Sequence, residues 1–321
     1  MNNYYQYLFE IPILFQIFNR IDTSQRVFNE IRKVKPRYLF IAQDAARPDI
    51  HGEDEKCRVV RETIEKQIDW ECDLKTLYRE NNLGPGAGTA NAIQWFFDQV
   101  EMGIVLEHDC LPHPHFFPYC EELLIKYKNN SKIKLINGSA YHNYFERAKQ
   151  SYYFGVSGQL WGWAAWNYTF NNYKQNIGFN DKEEIINSIN NTFKTKRERK
   201  YWESKIYRIF NKKSDTWDYQ LMFTIWKENG LIIIPQKNLI SNIGFGEEAI
   251  HCKNEDSKIA NAPTFDILPL IHPIKIKRNY KVDRSYHDIF LGPKKSILHR
   301  IKIKILDYFP QTYYIYQKIF K

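Results

Sequence analysis

The first 110 residues alternate between short apolar runs and amphipathic stretches. Residues 11–18 form an apolar run interrupted by Gln16, a pattern typical of a strand that is buried on both faces. Val27, Ile31 and Val34 then recur at helical spacing, and Pro36 ends this predicted helix. Further strands are predicted at 37–42, 74–78 and 103–106, with helices at 53–68 and 87–100 between them. This alternation predicts a mostly parallel central α/β sheet flanked by helices, with right-handed crossovers.

After residue 112 the alternation is less regular. Apolar spacing predicts helices at 116–127 and 194–211 and a helix that opens at 215–220 and runs to Glu228, with strands at 133–136 and 231–235. An aromatic cluster lies at 160–166. We expect Trp166 to pack in the core, and Trp161 and Trp163 to combine packing with contact to a ligand. The predicted organisation is an α/β half at 1–110, a second half of the same domain at 111–260, and a C-terminal tail at 261–321.

Composition indicates a globular, reduced protein. The chain has 321 residues with 14 Gly and 13 Pro, and it has no apolar stretch of the roughly 18 residues that a membrane-spanning helix needs. Its five cysteines are scattered without a CxxC pair, which indicates neither a disulfide framework nor a thiolate zinc site. We expect a cytoplasmic protein.

The net charge of +9 is confined to the C-terminal end. Residues 272–321 hold twelve Lys or Arg against three Asp, so the remainder of the chain is neutral. A neutral body argues against a nucleic-acid channel through the core, and we expect no nucleic-acid partner. The basic tail favours contact with an anionic surface.

Polar side chains follow the predicted strands at Arg20, Asp44, 81–82 and Glu107–Asp109. In parallel sheets ligands bind beyond the carboxyl ends of the strands, so these positions predict a ligand site. Glu107 and Asp109 are two residues apart on extended chain and point the same way. They could share one divalent cation, or Asp109 could bind the metal while Glu107 contacts a hydroxyl. The alternative is a solvated turn at the end of a strand.

The segment Ile104–Phe117 resembles the GT-A nucleotide-sugar glycosyltransferases. It contains the acidic triplet Glu107-His108-Asp109, followed by Pro114-His-Phe-Phe117. The likeness is strongest to the catalytic core of N-acetylglucosaminyltransferase I and its bacterial relatives. Further blocks agree in order along residues 11–252, namely Phe18-Asn-Arg20, Gln43-Asp44, Asn82-Leu-Gly84, Gly158–Trp163, Trp217-Asp218 and Ile240–His251.

The resemblance implies a GT-A (Rossmann-like) fold and a metal-dependent, inverting transfer of a sugar from a nucleotide donor, with a UDP-sugar such as UDP-GlcNAc expected. It implies Mn²⁺ or Mg²⁺ as cofactor and a glycan or glycolipid as acceptor. The residue roles it implies are nucleotide binding by Arg20 and Asp44, sugar binding by Glu107 and Trp217, metal binding by Asp109, general-base catalysis by Asp218, and metal or phosphate contact by His251.

Two departures from the family pattern stand out. His108 replaces the middle acid of the triplet, which removes a negative charge from a donor-binding position. Residues 85–88 lack the basic side chain that many relatives carry near the phosphates.

Asp218 could also be a helix N-cap. The alternative functions are a non-catalytic carbohydrate- or nucleic-acid-binding protein, and a sugar nucleotidyltransferase, although residues 18–22 lack the Gly-rich basic signature of the latter.

The tail carries a basic amphipathic pattern. Ile297, Ile301 and Ile305 share one helical face, with Lys and Arg on the other side, and Pro310 ends the stretch. Such a helix at 294–306 suits an anionic membrane surface and a lipid-linked acceptor, which predicts a peripheral membrane location through residues 294–321. Alternatively, the same apolar face packs on the catalytic body.

Overall fold

A computed structural model describes residues 8–140, 149–177, 179–211, 215–245 and 259–291. The strands are β1 Ile13–Ile17, β2 Tyr38–Gln43, β3 Asp73–Tyr78, β4 Met102–Glu107, β5 Cys110–Pro112, β6 Ile133–Asn137, β7 Tyr152–Gly155, β8 Trp163–Trp166, β9 Leu231–Pro235 and β10 Ile240–Asn242. The α-helices are α1 Ile21–Val34, α2 Glu53–Lys66, α3 Gly84–Phe97, α4 Phe116–Tyr127, α5 Lys182–Thr192, α6 Lys196–Phe210, α7 Asp218–Lys227 and α8 Tyr280–Leu291.

Eight strands form the central sheet in the order β3-β2-β1-β4-β8-β6-β9-β7. Six of them are parallel, while β8 runs antiparallel to β4 and β6, and β7 runs antiparallel to β9. A separate antiparallel pair joins β5 to β10. The predicted fold class is therefore confirmed as a Rossmann-like, mostly parallel α/β sheet. The strand order reverses between β1 and β4, which is where such sheets bind ligands.

Helices cover both faces of the parallel half. On one face Phe15 of β1 packs on Phe28 of α1. The buried residues of α1 recur at helical spacing, so they form one stripe that faces the sheet. On the other face Phe40 of β2 packs edge-on against Trp95 and Phe96 of α3. Helix α3 therefore lies opposite α1, as expected when the chain direction across the sheet reverses after β3.

The predicted elements of the parallel half all occur, although α3 begins at Gly84 rather than at residue 87. From residue 110 onwards the sequence pattern missed β5, β7, β8, β10, α5 and α8. The aromatic cluster contains strand β8, whose Trp163 and Trp166 are each 1% exposed. Trp166 is a core residue as predicted, and Trp163 is a core residue too.

The two predicted halves share one sheet, since β1–β4 precede residue 110 and β6–β9 follow it. Contacts divide the chain into two units at Tyr286–His287. The boundaries at 110 and 260 stay predictions, and the amphipathic stretch 294–306 lies outside the described residues. No helix in the described ranges combines the length and apolarity required to cross a bilayer.

Candidate functional site

A cavity of about 250 Å³ opens at the carboxyl ends of β1, β2 and β4, at the point where the strand order reverses. It brings together five of the predicted site residues, namely Arg20, Asp44, Glu107, His108 and Asp109. The strand-end expectation therefore located a concave site, because parallel strands deliver their terminal side chains to one edge of the sheet. The other polar lining residues include Gln16, Asn19, Arg47, Arg79, Asn82 and Asn242.

Asp44, at the end of β2, holds the loop that leads into α3. Its Oδ2 accepts hydrogen bonds from the backbone N–H groups of Leu83 and Gly84 at 2.9 and 3.0 Å, and its Oδ1 accepts one from Ala45 at 3.1 Å. A Cβ on Gly88 would lie 2.8 Å from Oδ2, so glycine lets the helix approach this carboxylate. Burial raises the pKa of Asp44, while these backbone donors and the charge of Arg79 oppose the shift.

A buried carboxylate organises the neighbouring wall. Glu53, at the start of α2, is 1% exposed and accepts hydrogen bonds from Asn19 Nδ2 at 2.7 Å and from Arg47 Nε at 2.9 Å. The side-chain hydrogen bond from Arg47 is the main reason why the pKa of Glu53 lies below its usual value. This ion pair fixes the Arg47 guanidinium at the cavity, where sequence reasoning had placed no cation.

The acidic triplet turns away from β4 into the short strand β5. Asp109 lies directly beside Gly244: a Cβ there would fall 2.0 Å from Asp109 Oδ2. The backbone N–H of Ile243 donates to the Asp109 carbonyl at 2.8 Å, in register with the β5–β10 pairing. Glycine at position 244 therefore lets this carboxylate pack against the backbone, in the place that a Cβ would take.

Glu107 has a strongly perturbed ionisation. Burial, followed by the negative charges of Asp109 and Asp218, raises its pKa to about 8. Burial also lowers the pKa of His108, so the imidazole favours the neutral form. Two carboxylates facing one cavity repel each other, and a cation between them would relieve that repulsion. Oxygen donors of this kind fit Mn²⁺ or Mg²⁺.

Arg20 joins the end of β1 to the residues after β10. Its Nη1 donates to the Gly244 carbonyl at 3.0 Å, and its guanidinium lies 4.0 Å from Asp22. Its Nε is buried and has no hydrogen-bond partner among the described residues. This unpaired donor on a cationic side chain suits an anionic ligand in the cavity.

Asp218 is the first residue of α7 rather than its N-cap, which is Trp217. Its Oδ1 accepts hydrogen bonds from the Tyr219 backbone N–H at 2.9 Å and from the Thr216 hydroxyl. Its charge contributes to the raised pKa of Glu107, which places the two carboxylates in one electrostatic environment. The same charge adds to the effect of burial in raising the pKa values of Tyr173 and Tyr219.

Trp217 is 8% exposed, and its ring lies 5.8 Å from that of Trp163. Its indole is therefore largely a core group, and its predicted contact with a sugar stays a prediction. Trp161, in contrast, lines the cavity and meets Phe245 edge-on at 5.9 Å. His251 lies outside the described residues, so its predicted role is neither supported nor opposed.

A second group of potential metal ligands lies outside the cavity. Ring nitrogens of His113 and His115 lie 3.7 and 3.3 Å from Asp266 Oδ1. However, His113 Nδ1 accepts the backbone N–H of His115, and His115 Nδ1 accepts that of Ile267, both at 3.2 Å. The lone pair of His115 Nδ1, the ring nitrogen near Asp266, is therefore already used. Because His113 Nδ1 also accepts a hydrogen bond, the neutral ring of His113 carries its proton on Nε2. As arranged, the group anchors residues 266–268 and does not present a set of metal ligands.

The cavity contains residues that sequence reasoning missed. Arg79 follows β3 directly, so the strand-end rule that found Asp44 could also have found it. Gln16 is a polar residue within an apolar strand, and that interruption was its signal. Arg47 and Gly244 gave no local signal, because an ion pair and a long-range strand pairing place them.

No family model and no curated protein matches this chain. Among solved structures, similarity is found to a mannosyltransferase from Pyrobaculum calidifontis in complex with GDP-Man and Mn²⁺, with 10% identity, 70% of each chain covered and a TM-score of 0.39. HddC from Yersinia pseudotuberculosis gives 7% identity over 52% of this chain and 82% of that one, with a TM-score of 0.33. A UDP-glucose pyrophosphorylase complexed with UDP-glucose gives 14% identity over 46% and 64%, with a TM-score of 0.27.

Proposed function

We propose that this chain is a metal-dependent, inverting glycosyltransferase that moves a sugar from a nucleoside-diphosphate donor to a glycan or glycolipid acceptor. UDP is the expected nucleotide and UDP-GlcNAc one expected donor. The observation that carries the proposal is the meeting of Glu107 and Asp109 with Arg20 in one cavity, with the charge of Asp218 acting on Glu107. Glycosyl transfer needs these components: a site for a diphosphate leaving group and a base for the acceptor hydroxyl.

The diphosphate is assigned to the side of the cavity near Arg20. The unpaired Arg20 Nε can donate to a phosphate oxygen, and Arg47 and Arg79 add positive charge along the cavity. Asp109, which lines the cavity, would hold Mn²⁺ or Mg²⁺ there, with His251 as a further proposed contact to the metal or a phosphate. A bound divalent ion would stabilise the negative charge that develops on the departing diphosphate.

Asp218 is assigned as the general base. It takes the proton of the acceptor hydroxyl while that oxygen bonds to the anomeric carbon and the bond to the diphosphate oxygen breaks, its electron pair leaving with the nucleoside diphosphate. Attack on the face opposite the leaving group inverts the anomeric centre. A positioned base of this kind contributes about 10²–10⁴-fold to the rate. Glu107, at the end of β4, would hydrogen-bond a hydroxyl of the donor sugar.

The test is a screen of UDP-, GDP- and CDP-sugars for slow donor hydrolysis, with Mn²⁺, with Mg²⁺ and with chelator. We expect one donor class to be hydrolysed only with metal. Release of pyrophosphate from a nucleoside triphosphate and a sugar 1-phosphate would instead favour a sugar nucleotidyltransferase. A protein that neither hydrolyses nor binds any of these nucleotides would favour a non-catalytic carbohydrate-binding protein.

We further propose a cytoplasmic enzyme that meets a lipid-linked acceptor at the anionic membrane face through residues 294–321. The support is the concentration of the net charge in residues 272–321 and the basic amphipathic spacing of 294–306.

A further inference from the structure

Gln16 is a polar residue at the floor of the cavity, on the strand next to the switch point. Parallel pairing places it beside Ala42 of β2 and Glu107 of β4. Residues paired across parallel strands point to the same face, and Phe40, two residues before Ala42, packs on α3. The side chain of Gln16 therefore points to the α3 face, where the cavity lies.

The amide of Gln16 is buried without a partner. The residue is 8% exposed, and its Nε2 makes no hydrogen bond with any described residue. Among the described residues with such buried unpaired atoms, only Gln16 and Arg20 line the cavity. A buried amide donor without a partner destabilises the protein, which makes it rare unless a water or a ligand supplies the bond.

On the side of Gln16 towards β2 the cavity is lined mainly by small residues, while Glu107 lies on the side towards β4. Between the sheet and the first turns of α3 the cavity is lined by Ala42, Gly88 and Ala92, with Thr89 as a further polar neighbour. A sugar ring carries hydroxyls around its rim and would leave several unpaired against these small apolar residues. A nucleobase has apolar faces and a polar edge, so it suits a slot with few polar groups.

Asp44, which the family resemblance assigns to nucleotide binding, already accepts several hydrogen bonds from the protein. Its two oxygens accept backbone hydrogen bonds from Ala45, Leu83 and Gly84. Asp44 therefore shapes the slot by fixing the loop before α3. The carboxamide of Gln16 has one donor and one acceptor group, which match a carbonyl oxygen next to a ring N–H, the edge that uracil and guanine present.

We infer that Gln16 hydrogen-bonds the polar edge of the donor nucleobase and contributes to the choice of nucleotide. This inference builds on the proposed function and adds a base-reading residue to the same cavity. It predicts that Gln16 forms this hydrogen bond with a bound nucleotide but not with bound pyrophosphate, which has no base.

The test compares Gln16→Met with Gln94→Met, the same change on the exposed face of α3, where Gln94 bonds Asp98 outside the cavity. Calorimetric titration with Mn²⁺ and UDP, GDP, CDP or ADP first identifies the nucleotide that the wild-type protein binds. We expect Gln16→Met to lower the affinity for that nucleotide about tenfold, as the loss of a buried hydrogen bond does. Mn²⁺-dependent binding of pyrophosphate should stay unchanged. Gln94→Met should change neither.

Thermal unfolding of the ligand-free variants separates a binding role from a structural one. Gln16→Met removes an unpaired buried donor, so its melting temperature should equal or exceed that of the wild type. Unchanged nucleotide affinity, or an equal loss of pyrophosphate affinity, would overturn this inference and leave the proposed function intact. A wild-type protein that binds none of the four nucleotides would overturn both.

Discussion

Replacing Glu107 by Gln should stabilise the metal-free protein, and increasingly so as the pH rises. Burial and the neighbouring charges of Asp109 and Asp218 raise the pKa of Glu107 from 4.5 to about 8. Between these values the folded protein keeps a proton that the unfolded chain releases. The free energy of unfolding therefore falls as pH rises through this window, by about 1.4 kcal/mol per pH unit. Below pH 4.5 Glu107 is protonated in both states, and this destabilisation disappears.

The whole window corresponds to about 5 kcal/mol as an upper bound, and water in the open cavity reduces it, so we expect about 2–5 kcal/mol. Glutamine keeps the shape of the protonated acid but does not ionise. Urea unfolding at pH 5 and at pH 8.5, with chelator, should thus give Glu107→Gln little advantage at the lower pH and most of this range at the higher one.

A matched control is Glu71→Gln, an exposed residue in the loop between α2 and β3. It should follow the wild type at both pH values. Adding Mn²⁺ to the wild type should narrow its difference from Glu107→Gln at pH 8.5, because a cation at Asp109 would favour the ionised form of Glu107. If the stabilities of Glu107→Gln and the wild type change in parallel from pH 5 to 8.5, Glu107 ionises normally and the electrostatic description of the cavity is wrong.

The remaining predictions concern metal, base and tail. Asp109→Ala should abolish Mn²⁺-dependent UDP binding in calorimetry. Gly244→Ala should do the same, because its Cβ would displace the Asp109 carboxylate. As a control, Asp98→Ala changes an exposed residue and should leave UDP binding unchanged. Asp218→Asn should lower transfer by about 10²-fold or more with UDP affinity kept, and a near wild-type rate would place the base elsewhere. Truncation after Gly292 should abolish co-sedimentation with anionic liposomes, and binding by the full chain that persists in high salt would contradict an electrostatic tail.

The parallel half of the fold could be predicted because its signals are local. Strands β1, β2 and β4 are short apolar runs, and each helix has its own buried stripe, so these elements follow from spacing alone. Strand β3 is more polar, and none of its residues is buried. Strand β8 gave no such signal. All four of its residues are buried, so no alternation marks them, and its partners β4 and β6 are about 30–60 residues away. The strands β5 and β10 have only three residues each, too few for a periodic pattern.

The site divides in the same way. Residues that end parallel strands, such as Asp44 and Glu107, were predictable because topology alone carries them to one edge. The environment of Asp109 was not. It depends on the pairing of β10 with β5, which brings Gly244 against the Asp109 carboxylate, 135 residues earlier in the chain. The same pairing places the Gly244 carbonyl where it accepts a hydrogen bond from Arg20. One pair of three-residue strands thus sets both the place of the Asp109 carboxylate and the position of the Arg20 guanidinium. A substitution in β10 should therefore disturb metal and nucleotide binding together, although no residue of that strand is charged.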